Sequence, residues 1–239
     1  MTPERVVIGS AELWHGDCLE VMPKMRKGDA DMLLTDPPYG VDFVGRAGVH
    51  EAMQNDHKGF DVAPYIDAAL MVLRRGRHVY VFGPLESCKH ALCSKIELIW
   101  DKEVFGLGNL EIPWGPQHER ITFAIHETSK ANRDNGFGAL TARIRRGSIL
   151  RGLRPHSGRA KHHPTEKPLD ILAQMIESST IMGETVLDPF MGSGSTIVAA
   201  LLERRKAIGI EIERRYFDIA CERVEAAQRQ GRMFDESVA

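Results

Sequence analysis

The stretch TVLDPFMGSGSTIVAALLERRKAIGIEIERRY, residues 185–216, restricts the possible folds more than any other part of this chain. An apolar run ends on Asp188, a turn carries Gly192 and Gly194, a helix-like segment begins near Ser195, and a second apolar run ends on Glu211. A strand, a glycine turn, a helix and a further strand form the repeating unit of an α/β sheet with parallel strands. Glycines let the backbone pass close to a bound molecule, and an acid at the end of the next strand can accept from both hydroxyls of a ribose. The third glycine of a dinucleotide fingerprint would fall at Ile197 and is absent, so a nicotinamide-dependent oxidoreductase ranks last among the readings.

The rest of the chain keeps the same alternation. Strand-like runs are predicted at 31–36, 78–83, 97–102, 121–126, 185–190 and 206–212, and helix-like stretches at 63–75, 168–180, 195–205 and 214–229. Several runs are continuously apolar rather than alternating, as strands covered on both faces must be. The expectation is an α/β fold with a mostly parallel, twisted sheet flanked by helices. A chain of 239 residues is read as one domain, 1–239, with two long loops at 41–60 and 127–161.

Composition excludes several classes. No apolar run approaches the ~20 residues that span a bilayer, and the N-terminus lacks a secretory core, so a cytoplasmic location is expected. Cys18, Cys88, Cys93 and Cys221 form no CxxC pair, and the ten histidines are scattered, so no metal is expected. The formal charge of −2 gives no global sign of a polyanionic partner, but its distribution does. Between Glu127 and Lys161 nine basic residues meet two acids, a local excess suited to phosphate binding.

The second informative stretch is DMLLTDPPYG, residues 31–40. An apolar run ends on Asp36, and Pro37 and Pro38 stiffen the chain beyond it. Asp36 and the Pro37 carbonyl present two acceptors at a fixed spacing, matching the two N–H donors of an amine on an aromatic ring. Holding both would keep the nitrogen lone pair out of ring conjugation, and Tyr39 adds a flat face for stacking.

With TDPPYG preceding DPFMGSGST, the chain resembles the S-adenosylmethionine-dependent amino methyltransferases of DNA. The order of the two motifs is similar to the circularly permuted beta group. The resemblance implies a Rossmann-like methyltransferase fold and a catalytic corner of Asp36, Pro37, Pro38 and Tyr39. In HGDCLEVMPKM, residues 15–25, it implies that Asp17, with Cys18 beside it, contacts the adenine of the cofactor. In HPTEKPLDIL, residues 163–172, it implies that Thr165 and Lys167 hold the methionine end. Asp188, Phe190, Gly192 and Gly194 would line the cofactor with Ser195 and Thr196, Glu211 with Ile212 would take the ribose, and Asp36 also borders this site.

The partner implied is double-stranded DNA, with the target base flipped out of the stack. Target recognition is expected in the basic segment at 127–161, with Lys130, Arg133, Arg143, Arg145, Arg146, Arg151 and Arg154 as contacts, and the loop 41–60 is expected to close over the base. In the family this chain resembles, an aspartate before the two prolines accompanies adenine and a serine cytosine, so the resemblance implies adenine N6. Alternatives are cytosine N4, an RNA or protein amide substrate, or a catalytically silent DNA-binding partner subunit. A homodimer and a role in restriction–modification follow from the resemblance alone.

Overall fold

The computed structural model describes residues 2–38, 61–85, 92–105, 111, 113–126, 144–153 and 166–236. Five strands form its parallel centre: β2 (Ala11–His15), β3 (Ala30–Thr35), β4 (Leu73–Phe82), β8 (Thr185–Asp188) and β9 (Lys206–Glu211). Around them lie β1 (Glu4–Ile8), β5 (Leu92–Asp101), β6 (His118–His126) and β7 (Ile149–Arg151), giving one sheet in the order β1-β2-β9-β8-β3-β4-β6-β5-β7. β1 runs antiparallel to β2, and β6 runs antiparallel to both β4 and β5. The mixed α/β sheet flanked by helices is the fold class expected from the sequence.

Every residue of β3 is buried, and its neighbour β8 is buried over its last three residues. Successive side chains point to opposite faces. Met32, Leu34 and Val186 therefore pack on one side with the helices α3 (Leu169–Ser179), α4 (Ser195–Leu202) and α5 (Arg214–Glu236). Leu33, Val79 and Leu187 pack on the other with the short helix α1 (Cys18–Val21) and α2 (Ala63–Val72). Each such buried Leu or Val contributes about 1.5–3 kcal/mol of transfer free energy, which is why the central strands read as unbroken apolar runs.

Several boundaries differ from the expectation. The helix predicted at 63–75 stops at Val72, because Leu73 already takes extended backbone and enters β4. β4 and β5 both begin about five residues earlier than predicted, β4 through the pairing of Leu73 with Ala30 of β3 and β5 through its pairing with β6. β8 ends at Asp188, two residues short of the predicted end, and β9 ends at Glu211, so Ile212 lies just outside the sheet. The final helix runs on to Glu236 rather than ending at 229. β1 and β2 were not expected, nor was β7, which the basic segment contributes to the sheet edge. The loop at 41–60 and residues 127–143 and 154–161 lie outside the described residues.

The end of the sheet opposite Asp36 is fixed by ion pairs. Asp31, at the start of β3, lies 3.0 Å from Arg74 and 3.1 Å from Arg77, and Arg77 lies 2.7 Å from Glu184. No described helix is long and apolar enough to cross a membrane.

Candidate active site

Parallel strands end together, so the loops that leave β2, β3, β8 and β9 emerge on one edge of the sheet. Beyond β8 the chain turns through Gly192 and Gly194, at φ 52° and 82°, and enters α4. Those left-handed angles are open to glycine at low cost, and a Cβ on Gly194 would lie 3.0 Å from the Cβ of Ala220.

The turn is tied down from beneath. Asp188 is almost fully buried; its Oδ1 accepts from the Thr35 hydroxyl at 2.8 Å and from the Phe190 N–H at 3.1 Å. The Thr196 hydroxyl also bonds to it; burial nonetheless pushes this carboxyl up to about 6. Arg223 reaches across from α5, donating to the Ser193 carbonyl at 2.7 Å and to the Ser195 hydroxyl at 3.2 Å, and pairs with Glu166 at 2.5 Å. Ser195 and Thr196 therefore direct their hydroxyls into the support of the turn.

Beside the turn is a cleft, open to solvent and lined by Gly16, Asp17, Cys18, Tyr65, Pro189, Phe190, Ile210, Glu211 and Ile212. β2 and β9 are neighbours, with His15 opposite Glu211, which brings Asp17 and Glu211 to the same opening. Asp17 caps α1 by accepting from the Leu19 N–H at 2.8 Å. Glu211 accepts from the N–H groups of Gly192 at 2.9 Å and Glu213 at 2.8 Å, while burial pushes its carboxyl up to about 7. Tyr65 and Phe190 stack at a tilt, ring centroids 5.4 Å apart, as an apolar wall.

On the other side of the turn, β3 delivers Asp36 directly after Thr35, which is bonded to Asp188. Pro37 is buried and Pro38 half-buried. Asp36 Oδ2 lies 2.8 Å from Lys167 Nζ, which is also 3.0 Å from Glu119 Oε2. Glu119 Oε1 in turn lies 2.7 Å from Lys102 Nζ. Burial alone would lower the Lys167 pKa, but Asp36 and Glu119 outweigh it and hold the ammonium above its ordinary value. Burial likewise works to raise Glu119, and Lys167 and Lys102 outweigh it to hold this carboxyl below the usual range.

The structure thus brings Asp17, Cys18, Phe190, Glu211 and Ile212 around one cleft, with the Gly192 N–H bonded to Glu211 and, across the turn, Asp188 tied to Thr35, which precedes Asp36, itself paired with Lys167. Tyr39, Thr165, Lys130, Arg133, Arg143 and Arg154 lie outside the described residues. Arg145 is exposed, Arg146 pairs with Glu177 of α3 at 2.6 Å, and Arg151 sits exposed on β7. Sequence reasoning missed Tyr65, Glu119, Lys102 and Arg223. Tyr65 and Arg223 sit in ordinary helical patterns, and Glu119 and Lys102 become neighbours only through the pairing of β5 with β6. Among the described residues no three His, Cys, Asp or Glu side chains gather in a metal-binding group.

Comparison with known proteins places this geometry in a family. The N6/N4 methyltransferase family, described as DNA methylase, matches residues 99–222. The protein YubD of Escherichia coli (strain K12) is 31% identical over 223 residues, 90% of each chain. The DNA adenine methyltransferase YhdJ of the same organism is 26% identical over 248 residues, covering 89% of this chain and 82% of its own. The crystal structure of the M1.HpyAVI–SAM complex shares the fold, with a TM-score of 0.66 at 21% identity over 90% of this chain and 98% of its own. On a family match over more than half its length and a relative above 30% identity across nine-tenths of it, this chain belongs to the N6/N4 DNA methylase family.

Proposed function

We propose that the protein transfers a methyl group from S-adenosylmethionine to the N6 amine of an adenine flipped out of double-stranded DNA. One observation carries this reading. Asp36 and the glycine turn leave adjacent parallel strands and are joined by the Thr35–Asp188 hydrogen bond, so a group held by the turn and an amine held by Asp36 would face each other.

The cleft suits the cofactor. Its apolar wall of Tyr65, Phe190, Pro189 and Ile210 fits a flat heteroaromatic ring, and Asp17 and Glu211 supply carboxylates for its amine and its ribose hydroxyls. When bound, S-adenosylmethionine supplies a methyl group on a positively charged sulfur. The protein's own residues do the rest. Asp36 accepts one N–H of the target amine and the Pro37 carbonyl the other, turning the lone pair outward. Pro38 shapes the corner and Tyr39 stacks on the base. Lys167 fixes the Asp36 carboxylate, and positioning of the amine against the methyl group supplies most of the acceleration. Thr165 is assigned to the methionine end, whereas the Lys167 ammonium is engaged by Asp36 and Glu119, and Ser195 and Thr196 stabilise the turn.

DNA contact is assigned to Lys130, Arg133, Arg143, Arg145, Arg146, Arg151 and Arg154, and the basic segment to target recognition. Adenine is favoured over cytosine by the aspartate at position 36 and by the name of the relative YhdJ. Duplex DNA, RNA and protein offered in parallel with methyl-labelled cofactor test the proposal. The expected product is N6-methyladenine in DNA. N4-methylcytosine would replace the base with the alternative the family also contains, and label in RNA or protein alone would overturn the reading.

A further inference from the structure

Four charged side chains form an unbroken chain that ends on the proposed catalytic carboxylate. Lys102 follows β5, Glu119 lies in β6, Lys167 precedes α3 and Asp36 follows β3, with successive contacts of 2.7, 3.0 and 2.8 Å. Both ammonium groups are nearly out of solvent, Lys102 at 4% and Lys167 at 9% exposure. Each also sits over an aromatic ring, Lys102 5.2 Å from the centre of Trp100 and Lys167 4.7 Å from that of Phe82. Two cations and two anions balance. Taking away Glu119 removes a carboxylate that both buried ammonium groups share.

We propose that Glu119 is a positioning residue for methyl transfer, holding Lys167 so that its ammonium steadies the Asp36 carboxylate without claiming all of its acceptor capacity. This rests on the reading of Asp36 as the group that grips the target amine. An ammonium shared between two carboxylates binds each less tightly than an ammonium left with one. With Glu119 present, Lys167 is fixed from the β6 side and its charge is divided. Without it, the whole charge falls on Asp36, the other carboxylate paired with that ammonium among the described residues. The Asp36 oxygens would then be engaged by Lys167 when the amine arrives. Among the described residues, Lys167 from the segment before α3 and Asp188 from β8 are charged groups close to Asp36.

The variants are Glu119→Gln, Glu119→Asp and the double variant Lys102→Gln with Glu119→Gln. Each is measured for cofactor affinity, KM for duplex DNA and kcat. Glu119→Gln is expected to lose about ten- to a hundredfold in kcat, the scale of a small misplacement at a reacting centre, with cofactor affinity and KM close to the parent. Glu119→Asp should recover part of that loss. The double variant restores charge balance but not the grip on Lys167, so it should stay as slow as the single one.

A double variant that regains the parental kcat would overturn the proposal, because Glu119 would then serve only as counterion to Lys102. Parental kcat in Glu119→Gln would do the same. Should Glu119→Gln fail to bind cofactor, the comparison passes to the charge-balanced double variant, where a parental kcat is the contrary result. Failure of this inference leaves Asp36 essential in the parent. Failure of the broader reading removes methyl transfer to DNA from the parent itself.

Discussion

Glu211 gives a prediction whose size follows from its surroundings. Its carboxyl is desolvated by burial, an effect the N–H groups of Glu213 and Gly192 only partly offset and the nearby Glu213 charge increases, so it titrates at about 7 instead of 4.5. Two ribose hydroxyls are best held by the ionised form. With that pKa, about one-tenth of the molecules carry an ionised Glu211 at pH 6 and about nine-tenths at pH 8. Affinity for S-adenosylmethionine should therefore fall about tenfold from pH 8 to pH 6, roughly 1.4 kcal/mol.

Glu211→Gln cannot ionise. At pH 8 it should bind about five- to thirtyfold more weakly than the parent, the worth of 1 to 2 kcal/mol in lost charge assistance. Its affinity should hardly change with pH, so parent and variant converge at pH 6. The stability of the free protein should move the other way. A carboxyl whose folded pKa is raised favours folding most where it is protonated, below about 4.5, and that contribution is lost as pH rises through about 7. Calorimetric titration of cofactor at half-unit pH steps measures the first effect and thermal unfolding the second. A parental affinity that is flat from pH 6 to 8, or a Glu211→Gln protein with the parental slope, would refute the assignment of Glu211 to the ribose.

Three further outcomes are expected. Gly194→Ala forces a Cβ onto a backbone at φ 82° and within 3.0 Å of Ala220, so denaturant unfolding should show a loss of about 1–3 kcal/mol together with weakened cofactor binding. Asp31→Asn removes a buried charge from Arg74 and Arg77 at the far end of the sheet, so stability should drop by roughly 3 kcal/mol while methyl transfer per folded molecule stays at the parental rate. Arg145→Ala with Arg151→Ala should lower the slope of log affinity against log salt for duplex DNA by about two, with equal loss across unrelated sequences.

The sequence exposed those parts of the site that follow from chain-local geometry. An apolar run that stops on Asp36, Asp188 or Glu211 marks a strand end, and the glycines at 192 and 194 mark a turn that side chains would strain. The central strands were legible because burial on both faces leaves an uninterrupted apolar run. The two N-terminal ones were not: Glu4–Ile8 and Ala11–His15 mix charged with apolar residues, and only alternate positions of the second are fully buried. The start of β4 was hidden for a different reason, since Arg74 and Arg75 continue a helical pattern that pairing with β3 overrides. Glu119 and Lys102 were beyond reach because they are seventeen positions apart and meet only once β5 and β6 are in register, Trp100 opposite Glu119. Arg223 is likewise one arginine among several on α5 until the turn it reaches is folded.

The claim on which the rest depends is that the Asp36 corner and the glycine turn serve one reaction. Its most direct test is the single-turnover rate of methyl transfer from S-adenosylmethionine to duplex DNA in the parent and in Asp36→Ala, with cofactor affinity measured on the same preparations. The prediction is a rate lower by at least about a hundredfold with cofactor affinity near the parental value. An Asp36→Ala protein that methylates DNA at the parental rate would contradict it.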